Sequence, residues 1–532
     1  MNGRLRPPTL RRREFLRRAL AAPALAAPSL AAGARALGGP PAIVSAQGRR
    51  PEITHGVASG DVTGGRAIVW SRVDRPARMV VEWDTTDAFR EAKRVAGPAA
   101  SALTGFTARV ELTGLPPGQR ISYRVFFEDL EDPRAVSLPV TGTLRTAATE
   151  PASVSLAWSA DTVGQGWGIN PEWGGLRLYD VMRRAAPDVF VHCGDTVYAD
   201  GPLLPEVTLD DGTIWRNVVT PAKSKVAETL EEFRGNHLYN LTDLHLQRFN
   251  REVPVVALWD DHEVLDNWYP TEVLAAGARH SVKDVSLLAA RGKQAFFEHF
   301  PIRAHPDEAR RIYRALSYGP SLDVFALDMR SYRGANSPGR QTARGAETAL
   351  LGETQRAWLE AALRSSRATW KVVASDMPLG LVVRDFPDHF EAVANGHPGP
   401  PLGRELEIAA LLASLKRDGV RNVVWITGDV HYAAAHHYDP ARAGFAGFDP
   451  FWEFVAGPIH AGTFGPNALD DTFGPEVRFS AIPEGMKPNR PPSDGLQFFG
   501  MLKVDGRTRV LTATLHDLSG RTLFSQDLTP QR

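Results

Sequence analysis

The feature that most constrains this chain is a recurrence: apolar runs of strand length that each stop at a carboxylate or an imidazole. ASVSLAWSAD ends at Asp161, PDVFVHCGD at Asp195, VPVVALWDDHE at Asp260, Asp261 and His262, TWKVVASDMP at Asp376, and RNVVWITGDVH at Asp429 and His431. A single Gly-Asp after a strand is an ordinary turn, because glycine takes unusual φ and aspartate caps the following backbone. Independent turn caps would rarely agree over five runs. Open α/β sheets place their ligand crevice outside the carboxyl ends of their strands, so the recurrence predicts one shared site. Helical patterns lie between the runs: GGLRLYDVMRRAAP, SLLAARGKQAFFEHF, ETQRAWLEAALRSS and RELEIAALLASLKRDG. The alternation predicts α/β (α+β) layers, not a helical bundle, from about residue 150 to 528.

Ahead of this region, residues 51–146 change character. ITHGVASGDVTGGRAIVWSRV, ARMVVEWDT, FTARVELTGL and RISYRVFFEDL are short alternating runs separated by Gly, Pro and Asp, the pattern of an immunoglobulin- or fibronectin-like β-sandwich. TLRTAATEPASVS reads as a short linker between the two regions, and LQFFGMLKVDGRTRVLTATLHDLSGRTLFSQDL as strands that close or widen the second region's sheet.

Composition excludes several classes. With 532 residues, 43% hydrophobic and 23% charged, the chain is a globular protein of two or more domains. Lys+Arg and Asp+Glu balance at 61 each, but residues 1–46 hold eight Arg and one Glu, leaving 53 basic against 60 acidic residues in the remainder. That remainder has no basic bias toward nucleic acid. Residues 1–46 combine a basic start, an Ala/Leu run interrupted by Pro, and small residues around Val44-Ser45-Ala46, the three-part pattern of an export signal. Arg12-Arg13-Glu14-Phe15-Leu16 resembles the twin-arginine export motif, which implies the twin-arginine machinery as a partner and a periplasmic or secreted destination. The only cysteine is Cys193, so no disulfide framework is expected, and no cysteine stands at the signal junction to carry a lipid anchor.

Asp and His donors converging without thiolates suit hard to borderline cations. Crowded carboxylates repel one another unless cations neutralise them, so the strand-tip cluster predicts a metal site. Two cations about 3.5–4 Å apart would suit an in-line displacement at phosphorus, one generating hydroxide and both stabilising the oxyanions.

These blocks carry a resemblance. GD at 194–195, DDHE at 260–263 and GDVH at 428–431 resemble the ordered blocks of the calcineurin-like metallophosphoesterases. Within that superfamily the chain is similar to the alkaline phosphatase D, or PhoD-like phosphatase, family: HGVASGD and IVWSRV resemble its N-terminal module, and GDTVYAD, WDDHEVLDNW, LDMRSYRG and GDVHYAA its catalytic blocks. The resemblance implies a metallophosphoesterase double β-sheet sandwich flanked by helices, with a dinuclear or larger metal centre that hydrolyses phosphate esters by attack of a metal-bound hydroxide. It implies Asp195 as the bridging carboxylate, with Asp161, Asp261, Asp429 and His431 as further ligands and Tyr198 as a phenolate ligand of ferric iron. His262 would be the general acid, or a hydrogen-bond donor to the phosphate. The metals implied are calcium and/or ferric iron, with manganese or zinc as alternatives.

The pattern also departs from the superfamily. Asp161-Thr162-Val163 has Val where an Asp-x-His block is usual, which implies that one metal subsite differs, and Asp376 stands where many relatives carry a metal His, although a strand-end cap explains it equally well. Adjacent strand residues face opposite sides, so Asp260 is the alternative ligand to Asp261. Arg330 in LDMRSYRG suits a planar clamp on phosphate or a structural salt bridge to Asp328 or a neighbour, and His460 lies where it too can reach the crevice. Cys193 reads as buried and His192 as a core histidine. The Gly- and Trp-rich loop TVGQGWGINPEWGG and the irregular segment 381–404, with His389 and His397, are expected to cover the site.

The leading expectation is therefore an exported metal-dependent phosphoesterase. Alternatives are a phosphodiesterase acting on phospholipid, teichoic-acid-like or nucleotide diesters, and a non-catalytic binding protein on a degenerate fold. No Gly-x-Ser-x-Gly elbow appears, which argues against a serine hydrolase.

Overall fold

A computed structural model describes residues 50–531. The apolar runs form the parallel centres of two stacked sheets. In one, Val154–Ser159, Val189–Cys193 and Val255–Leu258 pair parallel, with Leu156 opposite Val189 and Leu258 opposite Cys193. In the other, Leu322–Ala326, Trp370–Ala374, Val423–Thr427 and Phe451–Val455 pair parallel in that order. Side chains alternate across each strand, and both faces are covered, which is why these runs read as continuously apolar.

Val189, Val191 and Cys193 pack between the sheets against Trp158, Leu258, Ala374 and Ile426. Phe190 and Ala257 face outward onto a helical layer that includes Tyr179, Phe233 and Phe296. On the far side Phe325, Val373 and Trp425 pack against Leu359, Leu363 and Leu411 of the helices Gly352–Ser365 and Glu405–Arg417. The result is two sheets sandwiched between helical layers, as expected for the fold class. Each fully buried Val, Leu or Phe contributes about 1.5–3 kcal/mol through removal from water.

The C-terminal strands Phe498–Val504, Leu511–Asp517 and Thr522–Leu528 form an antiparallel meander that widens the first sheet beside Val154–Ser159. At the opposite edge the sheet continues into the N-terminal region. Ile53–Gly60, Arg66–Val73 and Thr107–Thr113 form one layer, and Lys93–Ala100, Ala77–Asp84, Arg120–Asp129 and Val140–Arg145 the other, around a core that includes Val57, Val69, Met79, Val81, Tyr123 and Phe127. Gly60 pairs with Val255, so the first layer is hydrogen-bonded onto the larger sheet, and the buried Asp61 accepts from Arg314 Nε at 2.9 Å. The segment read as a linker is pinned as well: Thr146 Oγ1 donates to Pro116 O at 2.6 Å, and Ala147 N to Thr63 O at 3.2 Å.

The export-signal reading of residues 1–46 lies outside the described residues. Among the described residues no helix is long and apolar enough to cross a membrane.

Candidate metal centre

The parallel strands Val154–Ser159, Val189–Cys193 and Val423–Thr427 are each followed by a reversal of backbone hand. Asp161, Asp195, Asp429 and His431 have φ of 66°, 50°, 68° and 62°. L-residues rarely adopt this left-handed region, and strained backbone of this kind concentrates at functional sites. The loops brace one another: Asp161 N donates to Gly194 O at 3.3 Å, Thr162 N to Asp195 O at 2.8 Å, and Gly428 N to Asp376 O at 2.8 Å. Two glycines are required by close approach. A Cβ on Gly194 would lie 2.5 Å from Asp260 Cβ, and one on Gly457 would lie 2.2 Å from Asp161 Oδ2.

Asp161, Asp195 and His431 each bring a ligand atom within 4.8 Å of the others, and so do Asp195, Asp261 and His262. Asp195 thus belongs to both groups. Asp161 is fully buried, and neither of its carboxylate oxygens has a hydrogen-bond donor. Burial pushes the Asp161 and Asp195 carboxyls well above the usual range, against the pull of the His262 cation, and the neighbouring Asp261 and Glu263 push the same way. A buried carboxylate without a donor, crowded by others, fits a cation as its missing partner.

The remaining donors are oriented by their neighbours. His431 Nδ1 lies 2.5 Å from Gly462 O, a contact only an N–H satisfies, so Nε2 carries the lone pair. That Nε2 lies 2.9 Å from Tyr198 Oη and 3.8 Å from Asp161 Oδ1. Burial lowers the His431 imidazole to about 4, keeping it neutral and able to ligate. The buried Tyr198 ring packs against His262 with ring centroids 4.3 Å apart and planes tilted by 30°.

His262 is held from both ends. Its backbone N donates to Asp195 Oδ1 at 3.2 Å, and its Nδ1 lies 2.8 Å from Asp200 Oδ1. Burial opposes the imidazolium, but Asp200, Asp261 and Asp195 outweigh it and raise the pKa well above the usual value. Burial likewise opposes the Asp261 carboxylate, but His262 and Arg330 bring its pKa down to about 2.

A cavity of about 200 Å³ opens over these groups, lined by Asp195, Asp261, His262, Asp429 and His431 together with Gln165, Asp266, Asn267, Val383, Glu391, Phe464 and Asn467. Among the sequence candidates, Asp161, Tyr198, Asp260, Asp376 and Arg330 are not on its wall; Asp161 and Tyr198 approach it behind His431. Asp260 Oδ1 accepts from Arg330 Nε at 2.6 Å, and Asp376 Oδ2 lies 3.4 Å from the same nitrogen. Arg330 is therefore spent on carboxylates behind the site and does not reach a phosphate from its buried position. His460 is buried against Trp173 and Trp215 with Nε2 3.0 Å from Gly168 O, His389 pairs with Asp388 at 3.1 Å, and neither His389 nor His397 lines the cavity. Cys193 Sγ is buried between the sheets, 4.0 Å from Ile426 O, and His192 Nε2 bonds Thr162 Oγ1 at 3.0 Å.

Sequence reasoning missed Asp200, Asp266 and Glu391. Asp200 closes the VYAD block beside Tyr198, and Asp266 lies within WDDHEVLDNW, so both were adjacent to recognised residues. Glu391 sits in the irregular 381–404 segment, where no periodicity marks a direction.

Comparison with known proteins agrees with this geometry. Residues 156–515 match the PhoD-like phosphatase family and residues 38–148 the PhoD-like phosphatase N-terminal domain. Alkaline phosphatase D of Bacillus subtilis (strain 168) is 29% identical over 445 residues, covering 79% of this chain and 71% of that protein. A solved structure of PhoD superimposes with a TM-score of 0.65 at 22% identity, covering 89% of this chain and 92% of that one. The purple acid phosphatase PPD1 of yellow lupin shares the fold with a TM-score of 0.53 at 13% identity, covering 90% and 74%. Because the family match at residues 156–515 takes in every residue that lines the carboxylate-rich cavity, the chain belongs to the PhoD-like phosphatase family and is a metal-dependent phosphoesterase.

Proposed function

We propose that the protein is exported through the twin-arginine pathway and hydrolyses phosphate esters in the periplasm or outside the cell, with His262 as proton donor. The observation that carries the catalytic reading is the donorless buried Asp161 carboxylate next to Asp195 and His431, with the cationic His262 grouped on the same Asp195. Asp161, Asp195, Tyr198 and His431 would hold one cation, and Asp195, Asp261 and Asp429 the next. These oxygen-rich donors suit calcium and/or ferric iron, with manganese or zinc as alternatives. Bound cations supply Lewis acidity toward phosphoryl oxygens and lower the pKa of water. Asp200 fixes the His262 ring through Nδ1, which leaves Nε2–H to protonate the departing ester oxygen.

The cavity wall favours diesters over monoesters. Among the described residues lining it none is Lys or Arg, while Asp266 and Glu391 add negative charge and Gln165, Asn267 and Asn467 supply neutral amides. A dianionic monoester gains most from charged donors, and a diester carries one charge fewer. Hydrolysis of an aryl phosphate monoester and the matching bis-aryl diester by protein refilled with calcium, iron or manganese tests this. A diester rate above the monoester rate is expected, and hydrolysis of neither ester with metals bound would sink the reading. For export, Arg12→Lys with Arg13→Lys is expected to strand the folded precursor in the cytoplasm, as read by fractionation; unchanged export would remove the twin-arginine route.

A further inference from the structure

The 381–404 segment reaches the cavity through Val383 and Glu391, and it is held there by a closed ring of polar contacts. Arg330 donates from Nε to Asp260 Oδ1 at 2.6 Å, its Nη2 pairs with Glu391, and the same Nη2 lies 3.8 Å from Asp261 Oδ1. The Glu391 carbonyl accepts from Arg333 and Arg404, and Arg404 Nη2 donates to Asn336 Oδ1 at 2.8 Å. Asn336 Nδ2 donates to Asp385 Oδ2 at 3.0 Å and to Asn267 O at 2.8 Å. Asn267 closes the ring, with its backbone N donating to Asp261 Oδ2 at 2.6 Å. The contacts leave one oxygen of Asp261 and return to the other, meeting the hairpin formed by Arg384–Phe386 and His389–Phe390 at Glu391, just past its second arm, and through a branch to Asp385 in its first.

The hairpin is bracketed by Leu381, Val383, Ala392 and Val393, which pack on the main core, but apolar anchorage between those brackets is small. Val382, Phe390 and Ala394 form a cluster of their own, and Phe386 is 64% exposed. Few buried apolar contacts between the brackets mean a low cost of local opening there, so the polar ring supplies restraint that packing does not. Asp260 cannot follow a moving partner, because it directly follows the strand Val255–Leu258 and its N donates to Glu263 Oε2 at 2.8 Å. Without the Arg330 guanidinium, Asp260 and Glu391 become neighbouring buried carboxylates that repel, and the Glu391 side chain is the one that turns away, its backbone still held by Arg333, Arg404 and Val383 O.

We infer that Arg330 is a positioning residue: by clamping Glu391 to Asp260 beside the metal-facing Asp261 it fixes the 384–391 hairpin as the wall against which the ester's non-reacting substituent is placed. This rests on the phosphoesterase reading of the cavity. Arg330→Lys keeps the charge but loses the fork that spans two carboxylates. Asp385→Ala removes the first hairpin arm's tie to Asn336 and Asn267 at a partly exposed site, so it carries the test if the first variant does not fold.

Steady-state kinetics on bis(p-nitrophenyl) phosphate, elemental analysis and timed trypsin cleavage after Arg384 give three readouts. For Arg330→Lys a rise in KM of about tenfold is expected with kcat within about threefold, and for Asp385→Ala a rise of about threefold. Metal content should be unchanged in both, and cleavage after Arg384 faster in Arg330→Lys, whose scissile sequence is that of the wild type. A fall in kcat at unchanged KM, loss of metal from both variants, or unchanged KM and cleavage would each overturn the inference. If the wild type hydrolyses no ester, the phosphoesterase reading fails, while the cleavage rates still report on the ring.

Discussion

Replacing Asp195 with Asn is expected to cut phosphate-ester hydrolysis by on the order of 10³-fold while the protein stays folded. Asp195 is the residue common to the Asp161–Asp195–His431 and Asp195–Asp261–His262 groups, so its carboxylate faces both subsites. Asn keeps an oxygen for His262 N, which now donates to Asp195 Oδ1 at 3.2 Å, and so spares the local backbone. What is lost is one negative charge and one anionic ligand. Bound metal should therefore fall with the rate. The metal-free variant should unfold at a temperature no lower than the metal-free wild type, because burial and the neighbouring carboxylates disfavour the charge that Asn removes. Undiminished hydrolysis by Asp195→Asn would move the centre elsewhere.

Stripping metal with a chelator is expected to abolish hydrolysis and to make stability fall as pH rises. The carboxyls of Asp161 and Asp195 are raised well above their unfolded values, chiefly by burial. Between the unfolded carboxylate range, about 4, and the raised folded values, the native state binds more protons than the unfolded chain. Stability from these groups is therefore fully present below the unfolded pKa and is lost as pH rises through the folded one. Cations reverse the trend, because they bind the ionised carboxylates of the native state. At a free concentration a thousandfold above Kd, binding adds about 4 kcal/mol. Thermal unfolding from pH 4 to 9 with and without metal measures both effects. A metal-free midpoint that rises with pH, or one that metal does not shift, would contradict the proposed ligand set.

The parallel strands were legible because each is buried on both faces and reads as an apolar run with an abrupt polar stop. The helices Val285–His299 and Glu405–Arg417 were legible from their apolar spacing. The helix Leu230–Asn240 was not, although Thr229 and Glu232 form a capping box. It buries Arg234, Asn236, His237 and Asn240 alongside Phe233 and Tyr239, so polar side chains interrupt any apolar stripe. Arg234 is accommodated by Glu298, 64 positions away, a partner no local pattern names.

By itself the sequence determined which groups could meet: continuous apolar runs specify strands buried on both faces, and the residues just past them specify donors at one edge of the sheets. Only the tertiary structure decided which of those donors share the cavity. Asp260 and Asp261 are equivalent by spacing, yet Arg330, 70 positions from Asp260, takes the first and leaves the second facing the cavity. Asp376 is drawn to the same guanidinium, and Glu391 arrives on a segment with no periodicity at all. Charge pairing over such separations depends on which strands lie side by side, and that order is set by packing of the whole core, which no single stretch of sequence contains.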